Sequence, residues 1–274
     1  MINALGRPRI SGRMPDTHYT ASTKTPSTHP AGIKITAANI VDISIVLLPA
    51  TFFLAIFILE ANYPEYSRIQ NTVSELVWGR QGWIMAGVFA LTGMLLISLS
   101  LRLSSYLRPG IFTKIGISLI FLIGVGFIII AVFPTRAPGA AQTIKTLLHK
   151  QAANGISVAF PLACLFIAGN LKSGPEWQLA RLITVLAGGI GLVLALTGGA
   201  AVFTDAPWIG AIERAIIGNG LIWLEVLGLS LSFPGFMSRA RSLLEPGRSE
   251  QFAGFARQIP QTVTQLVNQV RIRR

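Results

Sequence analysis

Charged side chains are scarce in this chain. Aspartate, glutamate, lysine and arginine make up 12% of the 274 residues, whereas soluble domains carry about 25%. The mean hydropathy is +0.59, and the charges cluster between apolar runs of roughly 20 residues, the length that crosses a bilayer. This composition argues against a pair of soluble domains and predicts one helical membrane domain.

Cysteine and histidine are also rare. Cys164 is the single cysteine, which excludes an internal disulfide and a multi-cysteine metal site. His18 and His29 lie in the N-terminal tail, so His149 alone is left for the membrane body, and a haem held between two helix histidines is not expected. His-Glu-x-x-His, Gly-x-Ser-x-Gly and Gly-rich phosphate-loop patterns are absent from the sequence. We predict no cofactor and no metal.

Six apolar runs are present, and they predict an all-α, polytopic bundle of six transmembrane helices. We place the spans at Ile35–Leu59, Trp83–Leu101, Phe112–Phe133, Gln151–Leu171, Leu179–Phe203 and Ala211–Phe233. Between the third and fourth spans, the polar segment Phe133–His149 is predicted to be a water-facing loop.

Polar, basic segments flank the membrane body. Residues 1–33 are rich in Pro, Ser, Thr and Gly and predict a disordered basic arm, although an Arg-rich start also resembles an organelle transit peptide. Residues 34–234 form the predicted transmembrane domain, and residues 235–274 predict a basic amphipathic tail. The net charge of +12 gathers in these ends and in alternate loops, so we expect anionic lipid as the partner of both ends, and no nucleic acid.

Lysine and arginine are distributed unequally between the two sides of the predicted bundle. Side A, where the N-terminal arm precedes the first span, receives 17 of the 23 basic residues, and side B receives six. By the positive-inside rule, side A is cytoplasmic. We therefore predict a multi-pass protein of the cytoplasmic (inner) membrane with both termini inside, and an oligomeric state that the sequence leaves open.

Five polar residues fall near the side-B ends of spans, at one predicted depth: Ser74, Glu75, His149, Glu213 and Arg214. A histidine flanked by carboxylates can bind a divalent metal or act as an acid-base pair. The alternative is that Glu213 and Arg214 form ion pairs that tie the loops together, while His149 caps the fourth helix.

Two carboxylates lie deeper within spans. Asp42 and Glu225 are predicted at matching depths near side A, where an unpaired ionisable group indicates an ion or proton path. Alternatively, each is protonated or pairs with Lys114 or Arg181.

Small residues recur every four positions in the fifth span, at Ala187, Gly191, Ala195 and Gly199. Such a stripe lets a neighbouring backbone approach closely. We interpret it as a packing face, with a pore or ligand wall as the alternative.

Several landmarks occur in a characteristic order: Asn-Thr-Val-Ser-Glu-Leu at Asn71–Leu76, the Phe-Pro pair at Phe133, then His149, the Glu-Arg pair at Glu213, and Trp223. Over about residues 36–233, the chain resembles the bacterial membrane proteins of domain of unknown function 998. The resemblance implies a six-helix fold and an integral membrane location, but no activity or catalytic residues. Family members often carry an acidic residue soon after Phe-Pro, where this chain has Thr135 and Arg136, which argues against a metal in that loop.

Two functions follow from these features. The first is non-enzymatic: a small permease, a sensor or a membrane partner with a polar pocket at the outer face, favoured because recognisable catalytic motifs are absent. The second is an intramembrane enzyme that acts on a lipid or isoprenoid, with His149 as base beside Glu75 and Glu213.

Overall fold

A computed structural model describes residues 37–137 and 139–233, excluding the side chains of residues 37–39, 175 and 176. Within this part the chain forms six long α-helices and two short 3₁₀ helices, and all six long helices are apolar enough to cross a membrane. The helices are α1 (Ala37–Ala61), α2 (Trp83–Leu103), α3 (Ile111–Val132), α4 (Ile144–Ala168), α5 (Pro175–Phe203) and α6 (Ile209–Ser232). The predicted all-helical, six-span fold is confirmed, while the predicted arm and tail lie outside the described residues.

The six helices form a closed ring. Each packs against its neighbours in sequence, and α1 also packs against α6. Three of the five connections, those before α3, α5 and α6, are seven residues or shorter, which favours this up-and-down arrangement. The ring therefore places the ends of α1, α3 and α5 together with the starts of α2, α4 and α6, at side B.

Close contact between α2 and α3 depends on two glycines. A Cβ at Gly93 would lie 2.7 Å from the carbonyl oxygen of Gly124, and a Cβ at Gly124 would lie 2.9 Å from that of Gly93. Both distances are below normal van der Waals contact, so any larger residue would force the two helices apart. Small residues at helix crossings serve this purpose in membranes, where lipid provides little hydrophobic driving force for association.

Helix α4 begins at Ile144, seven residues earlier than predicted. Thr143 is its N-cap, and the Thr143 hydroxyl accepts a hydrogen bond from the backbone N–H of Thr146 at 3.3 Å. The prediction was wrong because polar residues such as Lys145 and Lys150 lower the hydropathy of this first part of the helix. As a consequence, His149 is a buried residue in the second turn of α4, not a loop residue.

Apolar and aromatic side chains fill the middle of the ring. Phe89 contacts Phe52 and Phe127, with ring centroids 5.9 and 6.2 Å apart. Beside them lies a small apolar cavity of about 70 Å³, whose wall includes Trp223. The indole N–H of Trp223 donates to the Thr184 hydroxyl at 3.1 Å, which satisfies a polar group that burial would otherwise penalise.

Candidate functional site

A second, larger cavity of about 690 Å³ lies at side B between α4, α5 and α6. The chain segment before α2 and the loop between α3 and α4 complete its wall. Four of the five predicted cluster residues line it: Ser74, Glu75, His149 and Glu213. The structure thus brings together residues that are up to 139 positions apart in sequence (213 − 74).

The fifth predicted residue, Arg214, is not among the lining residues and instead holds the wall together. Its guanidinium donates to the Glu60 carboxylate at 2.8 Å and to the carbonyl oxygens of Asn71 and Gly210 at 2.9 and 3.0 Å. It also donates to the Tyr66 hydroxyl and lies over the Tyr66 ring, 5.3 Å from its centroid. Arg214 therefore joins α6 to the end of α1 and to the segment between α1 and α2.

Tyr66 and Glu60 complete this group, which we term the Arg214 clamp (Glu60, Tyr66 and Arg214). The Tyr66 hydroxyl donates to the carbonyl of Thr72 at 2.8 Å, and burial raises the pKa of Tyr66, so the phenol stays protonated. The Glu60 side chain is only 7% exposed and also accepts from Arg68 at 2.7 Å. The predicted alternative, in which Glu213 and Arg214 form ion pairs between side-B segments, holds for Arg214 only, because its carboxylate partner is Glu60 and Glu213 forms no ion pair among the described residues.

Glu213 fixes a 3₁₀ helix, Val73–Trp78, against the start of α6. Its carboxylate accepts a hydrogen bond from the backbone N–H of Val73, the first residue of that helix. Nearby, the backbone N–H of Ala211 donates to the carbonyl of Ile69 at 3.1 Å. Glu213 therefore satisfies an N–H that would otherwise lack a partner at a helix start.

Glu75, in the same 3₁₀ helix, is held by the two residues that precede that helix. Its carboxylate accepts from the Asn71 amide at 2.6 Å and from the Thr72 hydroxyl at 3.0 Å. The Thr72 hydroxyl lies 3.0 Å from that of Ser74. The predicted cluster residues Ser74 and Glu75 thus belong to one local hydrogen-bonded turn at the edge of the cavity.

His149 has one bonded and one unpartnered ring nitrogen. Nδ1 lies 2.7 Å from the carbonyl oxygen of Phe133, at the end of α3. A carbonyl only accepts, so Nδ1 carries the proton and the neutral ring has its lone pair on Nε2. Nε2 is buried and has no hydrogen-bond partner among the described residues, and the whole residue is 3% exposed. His149 therefore ties α4 to α3 and is not the predicted helix cap, a role that Thr143 takes.

The charged residues of the cavity lie on two different walls. Glu75 and Glu213 come from the 3₁₀ helix and α6, whereas Arg136 and Lys150 come from the α3–α4 loop and α4. Within the described part of the chain, none of these four side chains takes part in an ion pair. We call these surfaces the acidic wall (Glu75 and Glu213) and the basic wall (Arg136 and Lys150).

Helix α5 supplies an apolar wall between them. Ala195, Gly199 and Phe203 line the cavity, and a Cβ at Gly199 would meet nothing within 4 Å. Closer to side A, Gly191 does pack tightly, because a Cβ there would lie 3.2 Å from the Asn219 side chain. The predicted small-residue stripe is therefore a packing face only in its side-A half, and its side-B half forms a cavity wall.

Asp42 is buried near side A and forms an ion pair with Arg102, at the end of α2. Neither of the partners suggested by sequence, Lys114 and Arg181, takes this role. Glu225 has no hydrogen bond or ion pair to any described residue.

The structure does not bring Asp42 and Glu225 together. Helices α1 and α6 run antiparallel, and Gly228 contacts Ile45 and Val46. At 1.5 Å per residue this register separates the two carboxylates by about 10 Å along the bundle axis. Counting residues from the ends of the spans gave equal depths because it assumed that α1 and α6 end at one level on side A, whereas the contacts of Gly228 show that the two helices are offset along the axis.

Comparison with known proteins identifies the family. The family model described as "Protein of unknown function (DUF998)" matches residues 46–230, well over half of the chain. The chain belongs to the DUF998 family. Neither the curated proteins nor the solved structures contain a significant match. The matched range runs from α1 to α6 and contains all the lining residues of the side-B cavity, which is thus part of the DUF998 domain.

Sequence reasoning missed several residues of this DUF998 site. Thr146, Lys150, Asn154 and Ser157 all line the cavity from α4. Their spacing of four, four and three residues marks one face of a helix, but the polar face was recognisable only once α4 was known to begin at Ile144. No group of three or more histidine, cysteine, aspartate or glutamate residues suited to a metal ion occurs in the part that the structure covers.

Proposed function

We propose that this DUF998 protein is an integral membrane protein that binds an amphiphilic ligand in its side-B cavity. The observation that supports this is the composition of the walls, which places charged groups and an uncharged apolar helix face around one space of about 690 Å³. Ligand sites combine apolar lining with a few polar groups in this way. Ile216 lines both this cavity and the small apolar one, so the apolar surface continues toward the middle of the bundle.

Binding without chemical conversion is the function that the side chains favour. Glu213 and Glu75, which would assist His149 in an acid-base reaction, accept hydrogen bonds from Val73 and from Asn71 and Thr72. Neither carboxylate is hydrogen-bonded to His149. A permease, a sensor or a membrane partner requires only that a ligand enter and leave such a cavity.

One observation favours the enzymatic alternative. The lone pair on His149 Nε2 has no partner among the described residues, and a buried acceptor of this kind suits a general base acting on a lipid or isoprenoid. Cleaved lipid recovered with the purified protein, lost in His149→Asn, would favour this second function. Asparagine keeps an amide N–H for the Phe133 carbonyl and lacks the Nε2 acceptor.

The proposed location is the cytoplasmic membrane, with side A inside the cell and the cavity facing outward. The basis is the excess of lysine and arginine at side A, 17 of 23. In that orientation the ligand would come from the outer leaflet or from outside the cell.

Filling the cavity should displace the ligand. Gly199→Phe places an aromatic ring on the α5 wall, where a Cβ meets nothing within 4 Å, and we expect lipid retained by the purified protein to fall severalfold in native mass spectra. Gly189→Phe is the matched control, because Gly189 is also an α5 glycine with open space at its Cβ but does not line the cavity. Equal lipid retention in both variants would contradict the proposal.

Cysteine labelling in intact cells tests the orientation. In a Cys164→Ala background, a cysteine at Ala140 on side B should react with a membrane-impermeant maleimide, whereas one at Ser105 on side A should react only after permeabilisation. Both positions are exposed. The reverse pattern would show that the side-B cavity faces the cytoplasm.

A further inference from the structure

The side-B cavity carries charges of both signs on separate walls, which restricts the ligand further. The acidic wall contributes two carboxylates and the basic wall contributes a guanidinium and an ammonium. An exclusively anionic ligand would leave the acidic wall without a counter-charge. An exclusively cationic ligand would leave the basic wall without one. A ligand that carries both charges complements both.

The two carboxylates of the acidic wall accept hydrogen bonds from uncharged groups only. Glu75 accepts from an amide and a hydroxyl, Glu213 accepts from a backbone N–H, and the nearby Arg214 guanidinium is bound to Glu60. Each carboxylate can accept about four hydrogen bonds, so acceptor positions are left over. Both carboxylates line the same cavity, where a cationic donor would fill these positions and supply a counter-charge.

The basic wall offers donors without acceptors. Arg136 and Lys150 are exposed and make no hydrogen bond or ion pair to any described residue. A guanidinium and an ammonium are the groups that proteins use to bind phosphate. Thr146, Asn154 and Ser157 add hydroxyl and amide groups beside them on α4.

We infer that the ligand is a phospholipid with a zwitterionic headgroup bearing a primary ammonium, such as phosphatidylethanolamine. Its ammonium binds the acidic wall, its phosphate binds the basic wall, and its acyl chains follow the apolar wall of α5. A primary ammonium is favoured over a quaternary one, because only the former has N–H groups to donate to Glu75 and Glu213. This inference rests on the proposed function, that the cavity binds an amphiphile.

Competition among three lipids tests the headgroup. The full chain is purified in detergent, mixed with equal amounts of phosphatidylethanolamine, phosphatidylcholine and phosphatidylglycerol with the same acyl chains, and examined by native mass spectrometry. We expect the ethanolamine lipid to be bound about tenfold more than either competitor, equivalent to about 1.4 kcal/mol. Soluble glycerophosphoethanolamine at the same concentration should compete poorly, because it lacks the acyl chains that bind the α5 wall, and effective competition by it would overturn that contact.

Variants of each wall separate the two contacts. Glu75→Gln and Glu213→Gln should abolish the preference for phosphatidylethanolamine over phosphatidylglycerol. Lys150→Gln should weaken binding of all three lipids and leave their ratio unchanged, because all three contain the phosphate. Lys145→Gln is the matched control, since Lys145 is an exposed lysine on the first turn of the same helix that does not line the cavity. Melting temperatures show whether a Glu variant has lost its fold. If it has, Lys150→Gln, which breaks no described hydrogen bond, is the variant that tests the proposed contacts.

The outcomes distinguish the two proposals. Three outcomes would overturn the headgroup assignment, even with Gly199→Phe still displacing lipid. They are equal binding of the three lipids, a preference for phosphatidylglycerol, and equal binding of the ethanolamine and choline lipids. A preference for ethanolamine that survives both glutamate variants in folded protein would also overturn it. Lipid retention unaffected by Gly199→Phe would instead overturn the proposed function.

Discussion

Arg214→Ala should lower the free energy of unfolding by about 3 kcal/mol, in the range measured when one partner of a buried ion pair is removed. The change strips the buried Glu60 carboxylate of one cation and leaves the Tyr66 hydroxyl and two backbone carbonyls without their donor. The segment that carries Glu75 would then lose one of its connections to α6, whereas the hydrogen bonds of Val73 to Glu213 and of Ala211 to Ile69 would remain. Chemical denaturation in detergent micelles measures the effect.

Arg68→Ala provides the matched control. Arg68 and Arg214 bind the same Glu60 carboxylate, but the Arg68 side chain is 65% exposed and that of Arg214 is 21% exposed. An exposed ion pair contributes about 1 kcal/mol or less, so Arg68→Ala should change stability little. Equal losses in the two variants would show that the Arg214 clamp has no special role in holding side B together.

Gly210→Ala should be a strongly disruptive single-methyl addition at side B. A Cβ at this position would lie 2.2 Å from the carbonyl oxygen of Asn71, a backbone atom that cannot rotate away. Either α6 or the Asn71 segment must move, and overpacking of this kind costs about 1–3 kcal/mol or more. Because the segment carries Glu75, we also expect less lipid retained by the purified protein.

Gly218→Ala is the control for this change. Gly218 lies in the same helix, α6, and a Cβ there would meet nothing within 4 Å. Alanine favours a helix over glycine by up to about 1 kcal/mol, so this variant should be neutral or slightly more stable. A melting temperature for Gly210→Ala as high as that of Gly218→Ala would argue against the tight contact with Asn71.

The fold was largely predictable from the sequence, because the requirement to cross a bilayer is one of length and polarity. Trp83 and Phe203 were placed correctly as the first residue of α2 and the last of α5. The start of α4 at Ile144 was not, since Lys145, His149 and Lys150 carry polar groups on a stretch that is nevertheless helical. Hydropathy measures solubility in lipid, whereas the helix start is determined locally by the Thr143 cap.

The candidate site was predictable in depth but not in partners. Glu75, His149 and Glu213 were expected at one level, and the structure places them around one cavity. Two ion pairs could not be predicted, that of Arg214 with Glu60 and that of Asp42 with Arg102. Each depends on which helices are adjacent in the ring and on how those helices are rotated about their axes. Neither property can be obtained from the positions of apolar runs, because a run gives the depth of a residue and not the direction of its side chain.

The α5 wall has a consequence for how the cavity fills. Gly199 and Phe203 both line the cavity and are exposed, so the cavity is open at α5. With the bundle in a bilayer, as we propose, that opening meets the surrounding hydrocarbon. A lipid molecule is therefore available to the cavity at its concentration in the membrane. For an abundant lipid, this concentration is far higher than any that the lipid can reach in water. Modest affinity is then sufficient for occupancy, and the fraction of filled protein follows changes in membrane composition.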